Sequence, residues 1–97
     1  MKRATRRKVR FELAGEPSSR ASVAGTFNNW DPAGNPLTYK RDSGRFTANL
    51  SLAPGRYEYK FVVNDAWIPD PNCPDSAPND LGSMNSVLTV PDTGSVH

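Results

Sequence analysis

Ninety-seven residues, 36% hydrophobic and 23% charged, with nine prolines and seven glycines, support one domain with one modest core. One cysteine, Cys73, excludes an internal disulfide framework and a multi-cysteine metal site, and with the one histidine at terminal His97 a histidine-based triad or zinc centre is not expected. No apolar run approaches the ~20 residues that cross a bilayer, and no apolar h-region follows the charged N-terminus, so a cytoplasmic binder without metal, cofactor or membrane partner is expected.

The net charge of +2 is unevenly placed. Lys2, Arg3, Arg6, Arg7, Lys8 and Arg10 are six of the twelve basic residues; residues 11–97 hold the other six against ten acidic ones, a balance of −4. Residues 1–7 read as a basic, solvated arm on a mildly acidic body. Basic arms attract nucleic acid in other settings. Here no aromatic residue interleaves with the cations, the stacking platform of a single-strand binder is missing, and nucleic acid is not the expected partner.

Along the chain the pattern is strand, turn, strand. Val9, Phe11 and Leu13 alternate with Lys8, Arg10 and Glu12, which predicts a strand with one wet face. Gly15 to Ser19 breaks it. Residues 21–25 form a short second strand, and residues 26–34 read as a loop. Residues 37–40 form another short strand, ended by Arg41-Asp42-Ser43-Gly44. Phe46, Ala48, Leu50 and Leu52 alternate with Thr47, Asn49 and Ser51, the cleanest period-2 run in the chain. Pro54-Gly55 turns the chain. Tyr57, Tyr59, Phe61 and Val63 alternate with Glu58, Lys60 and Val62, and Asn64-Asp65 signals a two-residue hairpin loop. Residues 66–68 return. Residues 69–80 carry four prolines and read as irregular; residues 86–90 are the last strand. About seven short strands without helical periodicity predict an all-β, single antiparallel, immunoglobulin-like β-sandwich over residues 8–91, with residues 92–97 as a C-terminal tail.

The hairpin can be worked out further. A two-residue loop at Asn64-Asp65 pairs Val63 with Ala66 and Val62 with Trp67, and residues facing each other across strands share a face. Tyr57, Tyr59, Phe61, Val63, Ala66 and Ile68 then share the face expected to be buried. Glu58, Lys60, Val62 and Trp67 share the other, with Lys60 diagonal to Trp67. The second tryptophan, Trp30, sits among Asn28, Asn29, Asp31 and Pro32, hence on a loop. An indole covers the C–H face of a hexose, and lysine or asparagine answers its hydroxyls. The same parts would serve a peptide or protein partner, or the tryptophans would simply pack on the sheet edge and the end of the sandwich. The acidic residues are scattered through turns with no acid/base pair, so no catalytic residue is expected.

Several segments agree in order and spacing with a known family: Val23-Ala24-Gly25-Thr26-Phe27-Asn28-Asn29-Trp30, Pro54-Gly55, the run from Tyr57 to Trp67, Asp70-Pro71, and Asn79-Asp80-Leu81-Gly82-Ser83-Met84-Asn85-Ser86. From about residue 8 to 90 the chain resembles the family-48 carbohydrate-binding modules. These are the glycogen-binding domains of AMP-activated protein kinase β-subunits and the early-set domains preceding the barrels of branching and debranching enzymes. The resemblance implies an early-set sandwich that binds α-1,4-glucans such as glycogen, starch or maltooligosaccharides without catalysis. It implies stacking by Trp30 and Trp67, hydroxyl contacts from Lys60 and Asn85, and an apolar contact from Leu81. Ser83, where the kinase branch has a threonine, would add a hydrogen bond. Its alternative is a structural or interaction module of the same fold that docks on a glucan-metabolising enzyme or kinase. One departure is Asn64-Asp65 in place of the family's usual Asp-Gly turn, which requires an aspartate at positive φ.

Overall fold

The computed structural model describes residues 6–78 and 83–91. Among these are eight strands and no helix: β1 (Arg7–Ala14), β2 (Ala21–Gly25), β3 (Thr38–Lys40), β4 (Arg45–Leu52), β5 (Gly55–Val63), β6 (Ala66–Ile68), β7 (Ser76–Pro78) and β8 (Met84–Val90). They form two antiparallel sheets, ordered β1-β4-β3 and β2-β5-β8-β7, with β6 also paired to β5. β2 runs along Tyr59–Val63 on one edge of β5; β8 and then β6 share the other edge. The all-β sandwich matches the sequence expectation, with one strand more. The addition is β7, inside the proline-rich stretch expected to be irregular. Its pairing comes from β8 rather than from its own pattern, and Pro78 is tolerated because β7 is an edge strand.

The alternating residues of β1 and β4 meet in register: Val9 faces Leu50, Phe11 faces Ala48 and Leu13 faces Phe46. Their apolar faces close on the second sheet around Phe11, Leu13, Val23, Leu37, Phe46, Tyr59 and Phe61. Phe11 and Tyr59 stack edge to face at 5.0 Å between ring centroids, and Phe61 lies 5.9 Å from Tyr59. Truncating a fully buried ring such as Phe61 to alanine costs about 3–5 kcal/mol. The first sheet takes in part of the stretch read as a solvated arm. Arg7 opens β1 opposite Leu52, and the Arg6 guanidinium donates to the Ser51 carbonyl at 2.7 Å.

The β5–β6 hairpin has the expected register: Val63 pairs with Ala66 and Val62 with Trp67. Asn64 and Asp65 sit at φ 48° and 70°, both in the left-handed region that a type I′ turn requires. Asn64 is fixed from outside, accepting the Arg20 N–H on Oδ1 at 2.9 Å and donating its own N–H to the Arg20 carbonyl at 2.9 Å. The expected burial of the two faces needs correction at both ends. Ala66 is exposed, because three-residue β6 lies at the rim of the sheet. Lys60 and Val62 are buried although they face away from the core. Chain from outside the sheet covers that side: Ser22 Oγ donates to the Pro32 carbonyl at 2.6 Å, and Ser83 sits on the Lys60 ammonium.

Candidate functional site

The outer face of the second sheet brings together residues from four strands. Trp67 on β6 stands opposite Val62 and diagonal to Lys60 on β5. Ala24 on β2 faces Lys60 from the other side. Continuing the β5–β8 register by one pair places Asn85 opposite Lys60. Trp67 is 43% exposed, a large apolar ring left in water. Neither tryptophan stacks on another ring among the described residues.

The loop after β2 carries Trp30, and Gly25 makes the loop possible. A Cβ there would lie 2.5 Å from the Glu58 carbonyl oxygen and 2.8 Å from Tyr59 Cβ. That closeness lets the Thr26 N–H reach the Glu58 carbonyl at 2.9 Å, and lets Thr26 Oγ1 accept the Glu58 N–H at 3.2 Å. Asn28 then clasps the turn: its Oδ1 accepts the Gly25 N–H at 3.0 Å, and its Nδ2 donates to the Val23 carbonyl at 3.1 Å and to Asn35 Oδ1 at 2.7 Å. Asn29 and Trp30 follow at φ 62° and 58°. A bulky residue in the left-handed region is a strained one, and such strain persists only where its surroundings enforce it. Here the enforcing contact is the Trp30 N–H on the Gly25 carbonyl at 2.8 Å. Trp30 is half-buried, its backbone held against the strand pair that carries Lys60.

The polar members are organised around β5. The Lys60 ammonium donates to Ser83 Oγ at 2.7 Å, its one hydrogen-bond partner among the described residues. An ammonium has three donors, so two remain for other acceptors. Asn85 is buried and donates from Nδ2 to Glu58 Oε1 at 2.9 Å. Arg56 reaches Oε2 of the same carboxylate at 2.8 Å. The Asn85 amide first, and the Arg56 guanidinium after it, hold the Glu58 carboxyl below its ordinary 4.5, so it is a charged acceptor at neutral pH.

A second layer supports β6 from beneath. The Tyr59 hydroxyl donates to Asp70 Oδ2 at 2.6 Å. Asp70 Oδ1 accepts the Asn72 N–H at 2.9 Å, and the Asp70 N–H donates to Ser86 Oγ at 2.8 Å. These bonds pin the chain leaving β6 to the core strands, and with it Trp67. Cys73 Sγ lies 3.3 Å from the Val87 carbonyl and 3.2 Å from that of Asp75.

Of the six residues expected from the sequence, Lys60, Trp67 and Asn85 share one sheet face, and Ser83 joins them through Lys60. Trp30 sits on the loop anchored beside them. Leu81 lies outside the described residues. Glu58 is on this face as the sequence expects, two residues before Lys60 on the same strand, but its role as the acceptor that holds Asn85 and Arg56 is not among the expected site roles. Asn28 was read only as a turn former, and its clasp depends on Val23 and Asn35, which no local pattern links to it. Among the described residues, no group of three or more His, Cys, Asp or Glu is placed to hold a metal. No helix among the described residues is long and apolar enough to cross a membrane.

Comparison with known proteins gives the chain a family. The family model described as the glycogen recognition site of AMP-activated protein kinase matches residues 8–96. The rice (Oryza sativa subsp. japonica) protein FLOURY ENDOSPERM 6, chloroplastic, is 38% identical over 74 residues, 76% of this chain and 13% of that protein. The pig (Sus scrofa) 5′-AMP-activated protein kinase subunit beta-1 is 38% identical over 68 residues, 70% of this chain and 52% of that sequence. The human subunit beta-1 is 38% identical over 71 residues, 73% of this chain and 24% of that protein. The chain thus spans about half or less of the length of these relatives. With nearly its whole length matched, the chain belongs to the family of the glycogen recognition site of AMP-activated protein kinase.

Proposed function

We propose that residues 8–91 form a non-catalytic module that binds α-1,4-glucan on the outer face of the five-stranded sheet. Arg6 and Arg7, read from the sequence as part of a basic arm, join the first sheet of this module. Trp67 and Trp30 stack on the C–H faces of glucose units. Lys60 and Ser83 answer hydroxyls, Asn85 acts on them and on Glu58, and Leu81 adds an apolar contact. The observation that carries the reading is the exposed Trp67 indole diagonal to a lysine whose ammonium has donors to spare. Family membership supports it. The kinase subunits among the relatives support a role in which such a module tethers a larger assembly to glucan.

Binding to an open face of this kind falls at roughly high-micromolar to millimolar affinity, about −4 to −6 kcal/mol. Native-gel retardation in glycogen tests the proposal. The wild-type chain is expected to be retarded and a Trp30→Ala/Trp67→Ala variant to run freely. Equal mobility of the two overturns it and leaves a docking module without sugar affinity.

A further inference from the structure

A cleft of about 800 Å3 opens at the end of β2, between the loop at Pro32 and Pro36 and the β5–β6 turn. It contains none of the six residues expected to meet sugar, yet register joins it to their face. Trp67 stands opposite Val62, Val62 opposite Ser22, and Ser22 bridges to Pro36. Three such steps between neighbouring strands span about 14 Å. Val62, Ser22 and Pro36 line the cleft; the exposed indole begins the same row. The Ser22 hydroxyl is spent on the Pro32 carbonyl, which fixes the loop as the far wall.

The lining has two kinds of surface. Val62, Pro32 and Pro36, together with the core residues Ala21, Leu37 and Phe46, offer apolar surface, while Arg20, Asn64 and Asp65 add polar groups to the same lining. Arg20 and Asp65 are exposed, and neither forms an ion pair among the described residues. A purely apolar ligand would strip water from those groups without replacing its hydrogen bonds. An anion attracted by Arg20 would meet the Asp65 carboxylate beside it. A neutral ring with C–H faces and hydroxyl edges satisfies both surfaces.

We propose that this cleft is an additional subsite of the glucan face. One chain stacked on Trp67 runs across β5 and β2 and places a further glucose unit among Val62, Pro32, Arg20 and Asp65. The inference rests on the glucan-binding reading above and adds a preference for chains longer than the row.

Amide and indole NMR shifts of the full chain, titrated separately with maltose and maltoheptaose, test it. Two sugar rings are shorter than the row. Both sugars are expected to move the Trp67 indole, and only maltoheptaose to move the amides of Ser22, Ala33 and Asn64. Maltoheptaose gains roughly three- to tenfold in affinity from the cleft, the equivalent of one or two hydrogen bonds. Ala33→Trp, which fills the cleft, is expected to cut the maltoheptaose affinity by that factor and leave maltose binding unchanged. Arg20→Ala, at an exposed side chain, is expected to do the same in part and keeps the test valid if the bulky substitution disturbs folding. Maltoheptaose shifts at Trp67 with a silent cleft, and wild-type affinities in both variants, overturn the subsite and leave the sugar face standing. Silence at Trp67 with either sugar overturns both.

Discussion

Lys60 donates to Ser83 Oγ at 2.7 Å from a side chain that is only 8% exposed. Partial removal from water strengthens each hydrogen bond the ammonium makes, and Ser83 fixes its direction before any ligand arrives. Lys60→Met keeps the stem and deletes the charge. Lys60 has no ionic partner among the described residues, so its removal leaves no buried counter-charge and recovers the cost of desolvating the ammonium, and the melting temperature is expected to move by only a few degrees. Hydrogen bonds from charged donors contribute about 1.5–3 kcal/mol, so glucan affinity is expected to fall roughly ten- to hundredfold. Affinity electrophoresis in glycogen beside a thermal melt separates the two effects; a large drop in melting temperature would make Lys60 a structural residue instead.

Trp30 occupies a backbone conformation, φ 58°, that glycine adopts freely and other residues do not. Trp30→Ala removes the indole and keeps the strain, whereas Trp30→Gly removes both. The glycine variant is expected to be more stable than the alanine variant by about 1–2 kcal/mol in urea unfolding. Both are expected to lose glucan affinity equally. Asn28→Ala breaks the clasp instead, leaving the Val23 carbonyl and Gly25 N–H without their side-chain partner. It is expected to cost about 2 kcal/mol and to weaken glucan binding without touching sugar itself.

The parts of this face that were legible in the sequence are those fixed by local rules. A two-residue loop and a period of two are enough to set Val62 against Trp67 and Lys60 on their diagonal. The burial of Lys60 was not legible, because the Ser83 that caps its ammonium lies more than twenty residues away in the chain, and no local pattern brings the two together. β7 was hidden for the same reason: two of the prolines around it argue against a strand, and only β8 supplies the ladder. Ala66 followed the right register to the wrong environment, since a period says which way a side chain points and not whether anything stands there.

Glu58 links the face to pH. Its carboxyl titrates below 4.5 in the folded chain because Asn85 and Arg56 hydrogen-bond the charged form. A depressed carboxylate stabilises the fold above its unfolded value, and that contribution disappears as pH falls through the lower folded value. Acid titration of the wild type is therefore expected to show stability declining below pH 4.5, with Glu58→Gln flattening that limb. The effect is modest, because the Arg56–Glu58 pair is largely in water. An unchanged acid limb in Glu58→Gln would locate the sensitivity elsewhere.

Tyr59 acts at the opposite end of the pH scale. Burial, and then its hydrogen bond to the Asp70 carboxylate, raise its hydroxyl well above the ordinary 10.0. Above that pH the unfolded chain releases the proton and the folded chain keeps it, so the unfolded state binds fewer protons and stability falls as pH rises. Tyr59→Phe is expected to remove this alkaline decline. At neutral pH it loses a hydrogen bond to a charged acceptor, about 1.5–3 kcal/mol. Because Asp70 also anchors Asn72 and Ser86, the chain leaving β6 loosens and Trp67 with it, and glucan affinity is expected to drop roughly threefold from the lost preorganisation. Urea unfolding at pH 7 and above pH 10, with maltoheptaose titrations of both chains at pH 7, distinguishes this from a purely structural tyrosine, for which stability would fall and the affinity of the remaining folded chain would stay at the wild-type value.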